Sequence, residues 1–103
     1  MRKLLLCVAT AALAVSGAAQ AAGDAEAGKG KIGLCVACHG TDGKGIMPMY
    51  PNLNGQNATY LESALKAYRD GNRTGGTAPI MAPMAANLSD QDIADIAAYY
   101  SQL

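Results

Sequence analysis

The feature that most constrains this chain is a segment of five residues, Cys35-Val36-Ala37-Cys38-His39, which holds two of the three cysteines and the only histidine. A C-x-x-C pair can serve in a disulfide, a thiol redox site or a zinc site, and C-x-x-C-H is also the attachment signature for c-type haem. Two thiols one helical turn apart can add to the two vinyl groups of a porphyrin, and the next residue then brings an imidazole to the iron. The segment therefore predicts one covalent haem c on Cys35 and Cys38, with His39 on the iron.

The three other interpretations of this segment fit the rest of the sequence less well. A thioredoxin-like redox pair belongs near a βαβ pattern, and the chain has no β-branched run of strand length. A structural zinc ion takes four protein ligands, whereas residues 22–103 contain two cysteines and one histidine. A disulfide between Cys35 and Cys38 would close a very short loop, contribute little stability and leave His39 without a role.

The N-terminal stretch has the three parts of a secretory signal peptide. Met1-Arg2-Lys3 is basic, Leu4 to Val15 is apolar, and Ala19-Gln20-Ala21 is an A-x-A cleavage site. The apolar run is shorter than the roughly 20 residues that span a bilayer, which disfavours a retained membrane anchor. Cys7 follows directly after the basic start, so we expect it to leave with the signal peptide rather than carry a lipid. Cleavage near Ala21 predicts a periplasmic location.

The predicted mature chain is one domain at residues 22–103, preceded by the signal peptide at residues 1–21. A core of this size is marginal unless a disulfide, metal, cofactor or partner adds stability. The domain carries eight acidic and six basic residues and no basic run. This balance argues against nucleic acid or an anionic membrane surface as the partner.

Apolar periodicity and capping residues predict an all-α domain of three helices joined by two long loops. The helices are expected over residues 24–36, from Asn57 or Thr59 to about Asp70, and from the N-cap Ser89 onward, with Asp92 as its capping-box partner. Three glycines in the first helix, Gly28, Gly30 and Gly33, weaken it unless another backbone approaches closely.

The second predicted loop, residues 72–83, bears on the other face of the iron. Pro79 and Pro83 disfavour helical angles at the residues before them. With no second histidine, the sixth ligand is a methionine, a lysine or a terminal amine, or the position is open. A ligand should lie on irregular backbone that can be aimed, so Met81 fits best and Met84 is the alternative; Met47 and Met49 lie in the first loop.

The domain resembles the small bacterial class I cytochromes c, and is most similar to one domain of the two-haem periplasmic cytochromes c. The shared segments are GDAEAGKGK at Gly23 to Lys31, CVACHG at Cys35 to Gly40, PNLNGQ at Pro51 to Gln56, the Y-L-x-x-x-L-x-x-Y-R pattern from Tyr60, and MAPMAANLSDQDI at Met81 to Ile93. The C-x-x-C-H element is diagnostic alone, and the order and spacing of the others strengthen it. The chain departs from the pattern in having one haem domain and no Phe or Trp.

The resemblance implies the class I cytochrome c fold, with three main helices and long loops wrapped around the haem and the N- and C-terminal helices crossing. At the crossing, a glycine matching Gly28 lets an aromatic residue matching Tyr99 pack closely. The resemblance also implies His39 and Met81 as axial ligands, and the backbone carbonyl of Pro51 as acceptor of the imidazole Nδ1–H, a bond that fixes the ring's tautomer.

An iron with both axial positions filled by protein favours electron transfer over substrate chemistry. Methionine opposite histidine raises the reduction potential relative to two histidines. We therefore expect a periplasmic carrier of single electrons in a respiratory or photosynthetic chain, not an enzyme. Donor and acceptor proteins would dock briefly at the exposed haem edge, ringed by Val36, Ala37, Ile46 and Ala82, and the carrier is expected to be a monomer. The alternative is a haem enzyme or gas sensor with an open sixth site.

Overall fold

The structure is a computed structural model that describes residues 22–103, so the predicted signal peptide and Cys7 lie outside the described residues. The described residues form five helices and no strand: α1 (Ala25–Lys29), α2 (Val36–His39), α3 (Ala58–Arg69), α4 (Ala78–Ala85) and α5 (Asp90–Ser101). The prediction of an all-α domain is confirmed. Within residues 22–103 no helix combines the length and apolar character that crossing a membrane requires.

The first predicted helix, residues 24–36, is divided in the structure. Asp24 caps α1 by accepting hydrogen bonds from the backbone N–H groups of Glu26 and Ala27, and α1 ends at Gly30. A turn then leads into α2, which begins after Cys35. The prediction of one continuous helix was wrong because the glycines lower helix propensity at the point where the chain has to change direction.

The two longer predicted helices are confirmed, including their caps. The side chain of Asn57 accepts the backbone N–H of Tyr60 and begins α3, which ends at the predicted Asp70. Ser89 begins α5, and Ser89 and Asp92 exchange backbone-to-side-chain hydrogen bonds in a capping box. Each cap joins two residues that are three positions apart in the chain, so both caps could be predicted from the sequence alone.

The prediction of a loop at residues 72–83 was wrong for residues 78–83, because α4 occupies Ala78–Ala85 and contains both prolines. Pro79 lies in the first turn, where a backbone N–H has no acceptor within the helix. Pro83 lies near the C-terminal end and removes one hydrogen bond there. Met81 therefore lies on a short helix and not on the irregular backbone that the sequence suggested.

The core forms where α5 packs against both α1 and α3. Ile32, Leu61, Ile96, Ala97 and Tyr100 make its central cluster, with Cys35 and Val36 packed against it. α4 packs on α3. The haem-attachment segment is thus held against the C-terminal helix, while α4 is supported by α3.

The crossing of α1 and α5 depends on Gly28. A Cβ at this position would lie 2.0 Å from the carbonyl oxygen of Asp95 and 3.0 Å from the Cβ of Tyr99. The close packing of Gly28 against Tyr99 that the resemblance implied is therefore present. On the side of the crossing, the buried carboxylate of Asp95 accepts hydrogen bonds from Lys31 Nζ at 2.6 Å and from the backbone N–H of Asp24 at 2.8 Å, which ties the two helices together.

Candidate functional site

The short helix α2 brings the two cysteines and the histidine together. The backbone N–H of His39 donates to the carbonyl of Cys35 at 2.9 Å, which closes one helical turn. Residues three apart on such a turn lie on one face, so Cys35 and Cys38 are neighbours. Both are free thiols and half-buried. Burial, followed by the charge of Cys38, raises the pKa of the Cys35 thiol.

His39 is buried, with 6% of its surface exposed. Its Nδ1 lies 2.8 Å from the carbonyl oxygen of Pro51. A carbonyl only accepts hydrogen bonds, so Nδ1 carries the proton, and in the neutral imidazole the lone pair is then on Nε2. The imidazole is therefore held in the tautomer that can bind a metal through Nε2, and the hydrogen bond expected from the resemblance is present.

The loop that carries Pro51 is folded back on itself and on α2. We call residues 40–55 the Pro51 loop. The backbone N–H of Ile46 donates to the carbonyl of Cys38 at 3.0 Å, and the N–H groups of Leu53 and Asn54 both donate to the carbonyl of Gly43, at 2.6 and 3.1 Å. These bonds hold the predicted long loop in one conformation, so that Pro51 reaches His39.

Three tyrosines contribute to the site, although sequence reasoning gave them only packing roles or none. The neighbouring side chain of Cys38 raises the pKa of Tyr50. The hydroxyls of Tyr99 and Tyr100 donate to the carbonyls of Thr41 and Gly40, at 2.7 and 3.2 Å. A signal for Tyr100 was available, because a tyrosine on the core face of a helix needs a partner for its hydroxyl.

The two candidate methionines lie one turn apart on α4. Met81 is half-buried, whereas 39% of Met84 is exposed. The other two, Met47 and Met49, lie in the Pro51 loop and are each 50% exposed.

The residues of α2 and its surroundings fit a covalently bound haem. They offer two neighbouring thiols and an imidazole with a free Nε2. They also offer apolar surface, because Ile46, whose backbone N–H donates a hydrogen bond to the Cys38 carbonyl, is 63% exposed. The donor set for a structural zinc ion is not assembled, because within residues 22–103 no group of three or more His, Cys, Asp or Glu side chains is arranged to hold a metal ion.

Comparison with known proteins agrees with this chemistry. The family model described as cytochrome c matches residues 19–103. The chain belongs to the cytochrome c family. It is 74% identical over 80 residues to cytochrome c-554(548) of Halomonas halodenitrificans, covering 78% of this chain and 96% of that protein. It is 46% identical over 101 residues to cytochrome c4 of Pseudomonas aeruginosa, covering 98% of this chain and 48% of the relative.

A solved structure supports the fold as well as the family. The reduced recombinant cytochrome c4 from Pseudomonas stutzeri superimposes with a TM-score of 0.67 at 46% identity, covering 78% of this chain and 45% of that chain. The chain thus spans about half the length of the cytochrome c4 relatives it matches and nearly all of cytochrome c-554(548). It is an electron-transfer protein with the class I cytochrome c fold and a covalent haem c.

Proposed function

We propose that this cytochrome is a periplasmic one-electron carrier in which Cys35 and Cys38 hold the haem, His39 and Met81 bind the iron, and Pro51 orients the imidazole. The observation that carries the proposal is the hydrogen bond from His39 Nδ1 to Pro51, because it leaves Nε2 as the free ligand beside two unpaired thiols. When bound, the haem supplies one-electron oxidation and reduction at its iron.

The protein's own residues keep this site fixed during electron transfer. The Pro51 carbonyl prevents rotation of the imidazole and strengthens it as a donor. The burial of His39 keeps water from its ring. With both axial positions filled by side chains, no position remains for a substrate, which supports a carrier over a haem enzyme or gas sensor.

The geometry of α4 favours Met81 over Met84 as the sixth ligand. Ala78 and Ala85 are the buried residues of this helix and mark its inward face. At about 100° per residue, Met81 lies about 40–60° from these two positions, whereas Met84 lies about 100–120° away. This difference agrees with the half-buried state of Met81 and the exposure of Met84.

The decisive experiment compares absorption spectra of wild type, Met81→Ala and the matched variant Met84→Ala. Oxidised cytochromes with a sulfur ligand show a weak sulfur-to-iron band at the red end of the visible spectrum. We expect this band in wild type and in Met84→Ala, and its loss in Met81→Ala, because Met81 faces inward.

Each other result has a definite meaning for the proposal. Loss of the band in Met84→Ala with retention in Met81→Ala would transfer the ligand role to Met84. If the wild-type protein lacks the band and binds carbon monoxide when reduced, its sixth site is open. The proposal of an electron carrier would then give way to that of a gas sensor or haem enzyme.

We further propose that redox partner proteins dock at the haem edge beside the two cysteines. Ala37 and Ile46 are exposed there, and Val36 and Ala82 are half-buried. A small apolar surface suits brief encounters, since redox interfaces usually bury less than about 1,200 Å². Export through the predicted signal peptide at residues 1–21 would place the carrier in the periplasm, where we expect it to act as a monomer.

A further inference from the structure

One residue of α5 holds both ends of the Pro51 loop. Tyr100 is 1% exposed. Its hydroxyl donates to the carbonyl of Gly40, at the start of the loop, at 3.2 Å. Its own carbonyl accepts the backbone N–H of Gly55, at the end of the loop, at 2.9 Å. Tyr100 therefore closes the base of the segment that carries Pro51.

The bonds of Tyr100 continue through the loop to the imidazole. The carbonyl of Gly40 also receives the N–H of Gly43, at 3.4 Å, and the carbonyl of Gly43 in turn receives the N–H of Leu53, at 2.6 Å. Leu53 lies two residues after Pro51, whose carbonyl accepts His39 Nδ1–H. Gly40 itself follows His39 directly. Backbone hydrogen bonds thus link the Tyr100 hydroxyl to the segment just after His39 and to the segment just after Pro51, the two partners of the imidazole hydrogen bond.

We propose that Tyr100 is a positioning residue for His39, keeping closed the loop whose Pro51 carbonyl orients the imidazole. Tyr99 supports the same end of the loop, because its hydroxyl donates to the next carbonyl, that of Thr41, at 2.7 Å. The proposal rests on the proposed function only in taking His39 as an iron ligand. A looser loop weakens the bond at Nδ1, which makes the imidazole a weaker donor and raises the reduction potential.

The test is Tyr100→Phe in the haem-loaded protein, with Tyr60→Phe as the control, since Tyr60 is half-exposed on α3. The first measurement is hydrogen exchange of the His39 ring N–H by NMR. We expect Tyr100→Phe to accelerate this exchange about three- to tenfold, the change that loss of one net hydrogen bond makes in a local opening equilibrium. The second measurement is the reduction potential, which we expect to become more positive. Tyr60→Phe should leave both unchanged.

Wild-type exchange and potential in Tyr100→Phe would overturn the proposal, even if the variant melts at a lower temperature, because Tyr100 would then only stabilise the fold. If that variant yields no holoprotein, Tyr99→Phe is measured in its place, and unchanged values there overturn the proposal equally. A failure of the proposed function would look different, since it would appear in the wild-type spectrum and not in the exchange of the His39 ring.

Discussion

The crossing of α1 and α5 makes Gly28→Ala the most demanding test of this fold. The added methyl group would lie 2.0 Å from the carbonyl oxygen of Asp95 and 2.6 Å from its carbon. These are backbone atoms in the middle of a helix, so no side-chain rotation can relieve the contact. The two helices must separate by more than about 1 Å to restore ordinary van der Waals distances.

The size of the effect follows from two opposing terms. Overpacking of a well-packed contact typically costs about 1–3 kcal/mol, and a contact against rigid backbone belongs at the upper end of that range. Alanine regains about 1 kcal/mol over glycine in helix propensity. The expected net loss is therefore about 2 kcal/mol, which in a domain of this length lowers the melting temperature by about 8–16 °C.

Thermal unfolding followed by circular dichroism measures this loss, and Gly30→Ala is the matched control. A Cβ at Gly30 meets only the carbonyl oxygen of Ala27, at 3.5 Å, and its φ of −77° suits any residue. We expect Gly30→Ala to be neutral or slightly stabilising. Equal stability of the two variants would refute the close crossing of α1 and α5 and the packing derived from it.

Two further predictions concern polar contacts of α5. Hydrogen bonds from Lys31 and from the backbone of Asp24 lower the pKa of Asp95 from 3.8 to about 2. The contribution of this carboxylate to stability is therefore complete above about pH 4 and is lost as the pH falls toward 2. Urea titrations across this pH range should show a smaller pH dependence of stability for Asp95→Asn than for wild type. If the two profiles run parallel, the carboxylate is not held as described. Ser89→Ala removes the acceptor for the backbone N–H of Asp92 and should lower the stability by about 1 kcal/mol. Thermal unfolding measures this loss against the control Ser63→Ala, which lies on the exposed side of α3. A Ser89→Ala variant as stable as the control would contradict the capping box.

The parts of the fold and site that the sequence predicted are those encoded by near neighbours. Ser89 and Asp92 stand three residues apart, as do Cys35 and Cys38, so cap and attachment segment are visible without any tertiary information. Pro51 is different, since it lies twelve residues from His39. It was predicted only through the resemblance to class I cytochromes c, which carries information about tertiary structure.

What the sequence did not predict depends on contacts between distant segments. The prolines of α4 argue locally for a loop, yet burial of Ala78 and Ala85 against the rest of the domain favours a helix. The hydroxyl bonds of Tyr99 and Tyr100 join residues 58 and 60 positions apart. No periodicity or spacing encodes such pairs, because they exist only after α5 has packed beside the Pro51 loop.

The packing also separates the supports of the two proposed axial ligands. His39 is held from the α5 side, through Tyr100 and the Pro51 loop. Met81 is held by α4, which packs on α3. Changes on α5 should therefore alter the imidazole and the potential while the sulfur-to-iron band persists, whereas changes on α4 should remove the band first. The spectra of the methionine variants therefore report on the support of Met81, and the ring exchange of the tyrosine variants reports on the support of His39.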